Sequence, residues 1–421
     1  MKRAAGAIVP PFTELAGSDA NPLFRQIYTR LRDAVLDGTL PGGHRLPSAR
    51  TLAGDLGVSR NTVEAAFSQL VAEGFVTRRV GAGSYVARAV PEPDRRPRRP
   101  RGAPNAAART AVPAPPPALS ARGRLLATAG AGVEAASPRV FAPCVPSLED
   151  FPVQTWNRLV ARRARRAGHE LLSKADPAGY RPLREAVAAH LGAARGVRCE
   201  WRQVVVLTST QQAMDLAARL ALDPGDQAWI EDPGYLGARA ALRAAGAQTV
   251  PVPVDAEGLD VSAGEALAPR ARLAYVTPSH QYPLGATLSL ARRLQLLNWA
   301  GRAGAWILED DYDSEFRFAG RPLAAVQGLD TEGRVLYAGT FNKVMFPSLR
   351  LAYLVVPPAL VDAFVAARAL SDGCPPALTQ AALADFIEQG HFAAHVRRMR
   401  AIYQERRDAL RESAERHLAG A

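Results

Sequence analysis

Seven short apolar runs recur over residues 203–207, 226–231, 248–253, 273–276, 306–309, 335–338 and 351–356. Helical stretches fall between the early ones, near 211–221 and 237–245. Continuous apolar strands alternating with helices predict a mainly parallel sheet covered by helices on both faces. A sheet of this kind binds its ligand at the carboxyl ends of its strands. The residues that follow each run therefore carry the functional information.

Those residues are chemically pointed. Thr208-Ser209-Thr210-Gln211-Gln212 opens a helix, where free backbone N–H groups and hydroxyls suit a phosphate. Taken alone, that cluster is better explained as an ordinary Ser/Thr cap. Asp232-Pro233-Gly234-Tyr235 offers an aromatic ring to a planar ligand, and Thr277-Pro278-Ser279-His280-Gln281-Tyr282-Pro283-Leu284-Gly285 forms a polar loop. Glu309-Asp310-Asp311-Tyr312 follows the apolar run 306–308, which brings at least one acid to the sheet edge. Lys343 stands in Tyr337-Ala338-Gly339-Thr340-Phe341-Asn342-Lys343 and is one of only three lysines in 421 residues, with Lys2 and Lys174. In so arginine-rich a chain, a lysine kept in an apolar and hydroxylic run points to a need for an amine. An amine can lose its proton and form a Schiff base; a guanidinium cannot. Thr340 and Arg350 flank it with a hydroxyl and a bidentate fork, both suited to phosphate.

The N-terminal part reads differently. Asn21-Pro22 starts a helix that runs to about Leu36, and Ser48 caps a second over 49–56. Gly57-Val58 is a tight turn, and Ser59 caps a third helix over 60–73. Strands at 75–80 and 84–87 around Gly81-Ala82-Gly83 complete a winged helix-turn-helix. Ser59, Arg60, Asn61 and Thr62 stand at the start of the recognition helix, where side chains reach base edges. Arg45, Ser48 and Arg50 flank the preceding helix, placed for phosphates.

Charge agrees with this division. The net charge is +12, and residues 1–120 hold 17 Lys+Arg against 9 Asp+Glu, or +8 of it. Between the modules, Arg95-Arg96-Pro97-Arg98-Arg99-Pro100-Arg101 leads to Pro113-Ala114-Pro115-Pro116-Pro117, a composition that builds no core. The expected organisation is a tail over 1–20, a DNA-binding domain over 21–88, a linker over 89–120 and a large domain over 121–421. Cys144, Cys199 and Cys374 are widely spaced, without the pairs of a zinc site or a disulfide framework. With no signal-peptide pattern or transmembrane-length apolar run, a cytoplasmic protein is expected.

The stretches Arg45-Leu46-Pro47-Ser48-Ala49-Arg50, Val58-Ser59-Arg60-Asn61-Thr62-Val63 and Gly81-Ala82-Gly83-Ser84-Tyr85-Val86 resemble the GntR superfamily of winged-helix regulators. In that family the positions matching Arg50, Arg60 and Gly83 contact DNA. The large domain resembles class I/II aminotransferases of fold-type I, and the whole chain resembles the MocR branch, which fuses the two modules. His391-Phe392-Ala393-Ala394-His395 also looks like that branch. The resemblance implies pyridoxal 5′-phosphate (PLP) as cofactor. Lys343 would form the Schiff base, Asp310 would pair with the pyridine nitrogen, and Tyr312 with the phenolic oxygen. Tyr235 would stack on the ring, and Ser209, Thr210, Thr340 and Arg350 would hold the phosphate, with Gln211 beside them. Tyr282 stands where many aminotransferases have an asparagine that bonds the cofactor. The family's small C-terminal domain, with its carboxylate-gripping arginine, is expected to begin near Ala421, so that domain is expected to be incomplete.

The expected function is a PLP-binding, ligand-responsive regulator of transcription. Its expected partners are double-stranded DNA, a second copy of the chain, and an amine, an amino acid or PLP as effector. A working aminotransferase with an appended DNA-binding domain is the alternative. A cofactor-free dimerisation scaffold is the third reading.

Overall fold

The computed structural model describes residues 21–79, 82–88, 118–130, 142–173, 176–318 and 324–418. The predicted tail, residues 89–117 of the predicted linker, Gly81 and Lys174 lie outside them. The chain divides into two compact units, Met1–Ala114 and Pro115–Ala421.

The first unit is built on α1 (Leu23–Leu36), α2 (Ala49–Leu56) and α3 (Arg60–Ala72), followed by the antiparallel pair β1 (Val76–Arg79) and β2 (Gly83–Val86). Ser48 and Ser59 each accept a 3.1 Å bond from the N–H three residues on, satisfying a donor that the helix start leaves open. Gly57 ends α2 at φ 64°, the left-handed turn expected between the two helices. Ile27, Leu31, Leu52, Val63, Phe67, Leu70, Val76 and Val86 share one core. Gly83, read from sequence as part of the turn, instead pairs with Arg79 inside β2. Its φ of +107° and the Arg45 Nε 3.4 Å from where a Cβ would stand both favour glycine there.

The second unit opens with α4 (Ala121–Gly130), α5 (Val153–Arg165), the single turn α6 (His169–Leu172) and α7 (Arg181–Arg195). It continues as β3 (Val204–Leu207), α8 (Thr210–Ala221), β4 (Gln227–Asp232), α9 (Leu236–Ala244), β5 (Gln248–Asp255), β6 (Gly258–Leu259) and α10 (Val261–Leu267). Then come β7 (Leu273–Val276), α11 (Leu290–Ala303), β8 (Trp306–Asp311), α12 (Val326–Leu329), β9 (Val335–Thr340) and β10 (Ala352–Val355). The described chain closes with α13 (Val361–Asp372), α14 (Ala377–Glu388) and α15 (His391–His417). Among the described residues, no helix is long and apolar enough to cross a membrane.

These strands form one sheet in the order β3-β10-β9-β8-β7-β4-β5-β6. Neighbours from β9 to β5 are parallel, whereas β10 is antiparallel to both β9 and β3. Two reversals restore direction, so β3 points the same way as β9, and the carboxyl ends of β3, β4, β7, β8 and β9 share one edge. Successive side chains enter opposite faces. Val205, Leu207, Leu308, Leu336 and Leu354 meet α8, α9 and α13 on one side. Val204, Val206, Tyr337 and Val355 meet α5, α7, α14 and α15 on the other. Both faces are dry, which explains the continuous apolar runs. Two runs proved longer than expected: β8 continues to Asp311 and β9 to Thr340. The acids of 309–311 therefore lie within a buried strand, not after it.

Gly179 shows how tightly the unit closes. It sits at φ +108°, and a Cβ there would stand 2.5 Å from Val206 Cγ2. Ala178 O accepts from Val206 N, and Gln380 Oε1 accepts from Tyr180 N, both at 2.8 Å, so the segment cannot retreat from β3. Gly179→Ala should cost about 2–5 kcal/mol, as backbone strain and overpacking add. Chemical denaturation checks this; an unchanged midpoint would mean that β3 yields.

Candidate functional site

The carboxyl edge is dominated by three consecutive acids whose side chains alternate across β8. Glu309 and Asp311 face one side. Glu309 accepts from the N–H groups of Val326 (3.0 Å) and Gln327 (2.9 Å) at the start of α12. Asp311 accepts from Arg195 Nε (2.8 Å) and the Tyr337 hydroxyl (2.5 Å). Asp310 faces the other side. Its Oδ2 accepts from the Tyr275 hydroxyl at 2.8 Å, and its Oδ1 is buried without a partner among the described residues. Burial pushes the Asp310 carboxyl up to about 7; the Tyr275 bond opposes the rise, and the neighbouring acids Asp311, Asp313 and Glu231 add to it.

Lys343 lies in the turn after β9. Asn342 fixes that turn: its Oδ1 accepts from Leu351 N at 2.9 Å and its Nδ2 donates to Thr208 O at 3.1 Å. Phe341, Val344 and Met345 bury their side chains in the core beneath. Thr340 Oγ1 accepts from Asn342 N at 3.1 Å, so its hydroxyl also serves the turn. These contacts hold the lysine backbone at the meeting point of β3, β9 and β10.

Lys343 and Asp310 line one cavity of about 540 Å³, counting space open to solvent. Tyr235, Tyr282, Tyr312 and Thr210 share its wall. Tyr235 and Tyr282 meet edge to face, centroids 6.1 Å apart. The Tyr312 hydroxyl donates to His280 O at 3.1 Å, and burial pushes that phenol well up. Four other predicted residues are not on the wall. Ser209 caps α8, accepting from Gln212 N at 3.3 Å, and Gln211 Nε2 donates to Gly237 O at 2.9 Å. Thr340 is committed to its turn, as above. Arg350 is exposed, with its backbone in the left-handed region at φ 52°.

Sequence reasoning missed three wall residues, Tyr275, Pro143 and Cys144, and named Thr277 only as part of the polar loop. Tyr275 read only as a strand residue, and nothing local distinguishes it. It also missed the clasp behind Tyr282. There Glu231 accepts from Thr277 N (3.0 Å), Thr277 Oγ1 (2.5 Å) and Gln281 Nε2 (3.2 Å), and burial raises its carboxyl to about 7. Gln281 Nε2 also donates to the carbonyls of Pro233 and Tyr282, joining the two ring-bearing loops.

In the first unit, Arg45, Ser48, Arg50, Ser59, Arg60, Asn61 and Gly83 are exposed, and Thr62 is half-buried. The Ser59 and Thr62 hydroxyls bond each other at 2.8 Å, which leaves Arg60 and Asn61 as the extended polar side chains at the start of α3. Arg60 lies 4.0 Å from Glu64, itself bonded by Arg78 of β1 at 2.7 Å. Exposed pairs of this kind contribute little and exchange easily for phosphate.

The family model for bacterial regulatory proteins of the gntR family matches residues 23–86, and that for aminotransferases of class I and II matches 147–418. A probable rhizopine catabolism regulatory protein, MocR, of Rhizobium meliloti is 44% identical over 399 residues, covering 94% of this chain and 78% of that protein. The HTH-type transcriptional regulator TauR of Rhodobacter capsulatus is 36% identical over 402 residues, covering 92% and 79%. Among solved structures, the α-aminoadipate aminotransferase LysN of Thermus thermophilus, complexed with N-(5′-phosphopyridoxyl)-L-leucine, superposes with a TM-score of 0.61 at 32% identity, covering 66% of this chain and 70% of that one. A helix-turn-helix unit matched by one family, a sheet unit matched by the other, and a similar regulator spanning both assign this chain to the MocR-type transcriptional regulators of the GntR family.

Proposed function

We propose that this regulator binds double-stranded DNA through its first unit and PLP through its second, and that a small amine or amino acid meeting the loaded site is its effector. The observation that carries the cofactor reading is that Asp310, which lines the same cavity as Lys343, has a buried Oδ1 without a partner among the described residues. A buried acceptor without a donor costs roughly 1–3 kcal/mol, so it calls for a ligand that brings one. A protonated pyridine nitrogen is such a donor. The similarity to an aminotransferase complexed with a phosphopyridoxyl compound supports the same choice.

Bound PLP would supply an aldehyde for amines and an electron-withdrawing ring. The chain's own residues would do the rest. Lys343 would tether the aldehyde carbon. Asp310 would hold the proton on the ring nitrogen, Tyr312 would face the phenolic oxygen, and Tyr235 would cover the ring. The start of α8, with Ser209, Thr210 and Gln211, would meet the phosphate, joined by Thr340 and Arg350. Support for Arg350 comes from its left-handed backbone, a conformation that persists in non-glycine residues where the surroundings demand it. In the first unit, Arg60 and Asn61 would read bases, while Arg45, Arg50 and the Gly83 backbone would meet phosphates. The working form is read as a homodimer in the cytoplasm, since two copies present two recognition helices.

Borohydride reduction of the PLP-treated protein should fix one phosphopyridoxyl group on Lys343, detected by peptide mass, and Lys343→Ala should lose both the adduct and the visible absorption. An intact Lys343 peptide would sink the cofactor reading. Arg60→Ala should weaken binding to the operator by about 1–3 kcal/mol and leave random DNA unaffected. Equal losses on both, in a gel-shift titration, would make Arg60 a phosphate contact.

The lysine and aspartate are also what amino-group transfer requires, so a second reading is an active aminotransferase. Steady-state assays with amino donors and 2-oxo acids separate the two. Turnover should stay below about 1 s⁻¹, the low end of ordinary enzymes; sustained faster turnover would replace the regulator-only reading.

A further inference from the structure

The two oxygens of Asp310 are treated differently by the fold. Oδ2 is held at 2.8 Å by the Tyr275 hydroxyl, and Oδ1 meets no donor among the described residues. Tyr275 lies on β7 opposite Leu308 of β8, so Asp310, two residues further along, shares its face. That diagonal relation between adjacent strands brings a long side chain within reach of its neighbour. Tyr275 is 1% exposed and its ring packs in the core, which fixes where the hydroxyl can point.

We infer that Tyr275 is a positioning residue of the PLP site, its hydroxyl holding Oδ2 so that Oδ1 alone is presented, as a charged acceptor, to the ring nitrogen. This rests on the PLP reading above. A carboxyl group held by one oxygen cannot rotate its second oxygen out of the cavity. The surroundings make that hold necessary. Glu231 of β4 and Asp311 and Asp313 of Asp310's own segment all favour a proton on it, as does burial. The Tyr275 bond is the interaction in this set that favours charge. Phenylalanine at 275 would fill the same core volume and remove only that bond.

The test uses the full chain as wild type, Tyr275→Phe, Asp310→Asn and the double variant. Infrared titration of protonated carboxyls in PLP-stripped protein needs no cofactor, and loss of a band in Asp310→Asn identifies Asp310. In Tyr275→Phe that band should titrate about one pH unit higher, a tenfold gain in proton affinity. An unshifted titration would overturn the inference. The PLP dissociation constant, read from visible absorption, should rise about tenfold in Tyr275→Phe and less than about twofold when Asp310→Asn is already present. Equal rises in the two backgrounds would mean that the hydroxyl acts only through core packing, and would overturn it too. If Tyr275→Phe fails to fold, 3-fluorotyrosine at position 275 keeps the shape and strengthens the donor. Asp310 should then titrate lower, and no change would again overturn the inference. A shifted titration without a Lys343 adduct would overturn the PLP reading and, with it, the ring-nitrogen half of this inference. An adduct with an unshifted titration would overturn this inference alone.

Discussion

Three carboxylates in a row at the end of a buried strand are an electrostatic problem, and the second unit is arranged around its solution. An isolated buried charge is prohibitively costly, so each acid needs a partner or a proton. The pleat separates them. Glu309 is satisfied by the first N–H groups of α12, and Asp311 by Arg195 and Tyr337. Arg195 is itself 7% exposed and reaches Ser279 as well, so one ion pair also ties α7 to the loop after β7. Asp310 and Asp311 are each satisfied on one oxygen only among the described residues, and of the two it is Asp310 that lines the cavity. Glu309 and Asp311 are tied to α12, α7 and β9, whereas Asp310 lines the cavity.

Much of this was legible in the sequence because apolar runs and caps are local signals. The boundaries of α2 and the caps at Ser48 and Ser59 follow from one serine and a spacing, as expected. The strand ends were harder. Continuous burial of Asp310 and Asp311 required partners from β7 and α7, and neither is adjacent in the chain. A run of acids reads as the end of a strand until those partners are known. Tyr275 was invisible for the same reason: its role depends on register between β7 and β8, which a periodicity does not specify. Gln281 likewise read as a polar loop residue, although its side chain holds two loops together.

The first unit was easier to read because it is small and its contacts are short in sequence. Its polar face needed no long-range knowledge beyond the wing returning to Arg45. The exception is Gly83, whose place within β2 depends on what lies above it. A local pattern assigns glycine to the turn; its pairing with Arg79 makes it part of the strand, and Arg45 lies where a Cβ would stand.

The Asn342 stitch has a mechanical consequence. One amide joins the lysine turn to Thr208, the residue before the cap of α8, and to Leu351, the residue before β10. The amine and the helix start are therefore mounted on the same bracket. A molecule gripped by both cannot be stretched between them, because displacing one displaces the other. A ligand-driven movement in this unit would carry that bracket as a single body.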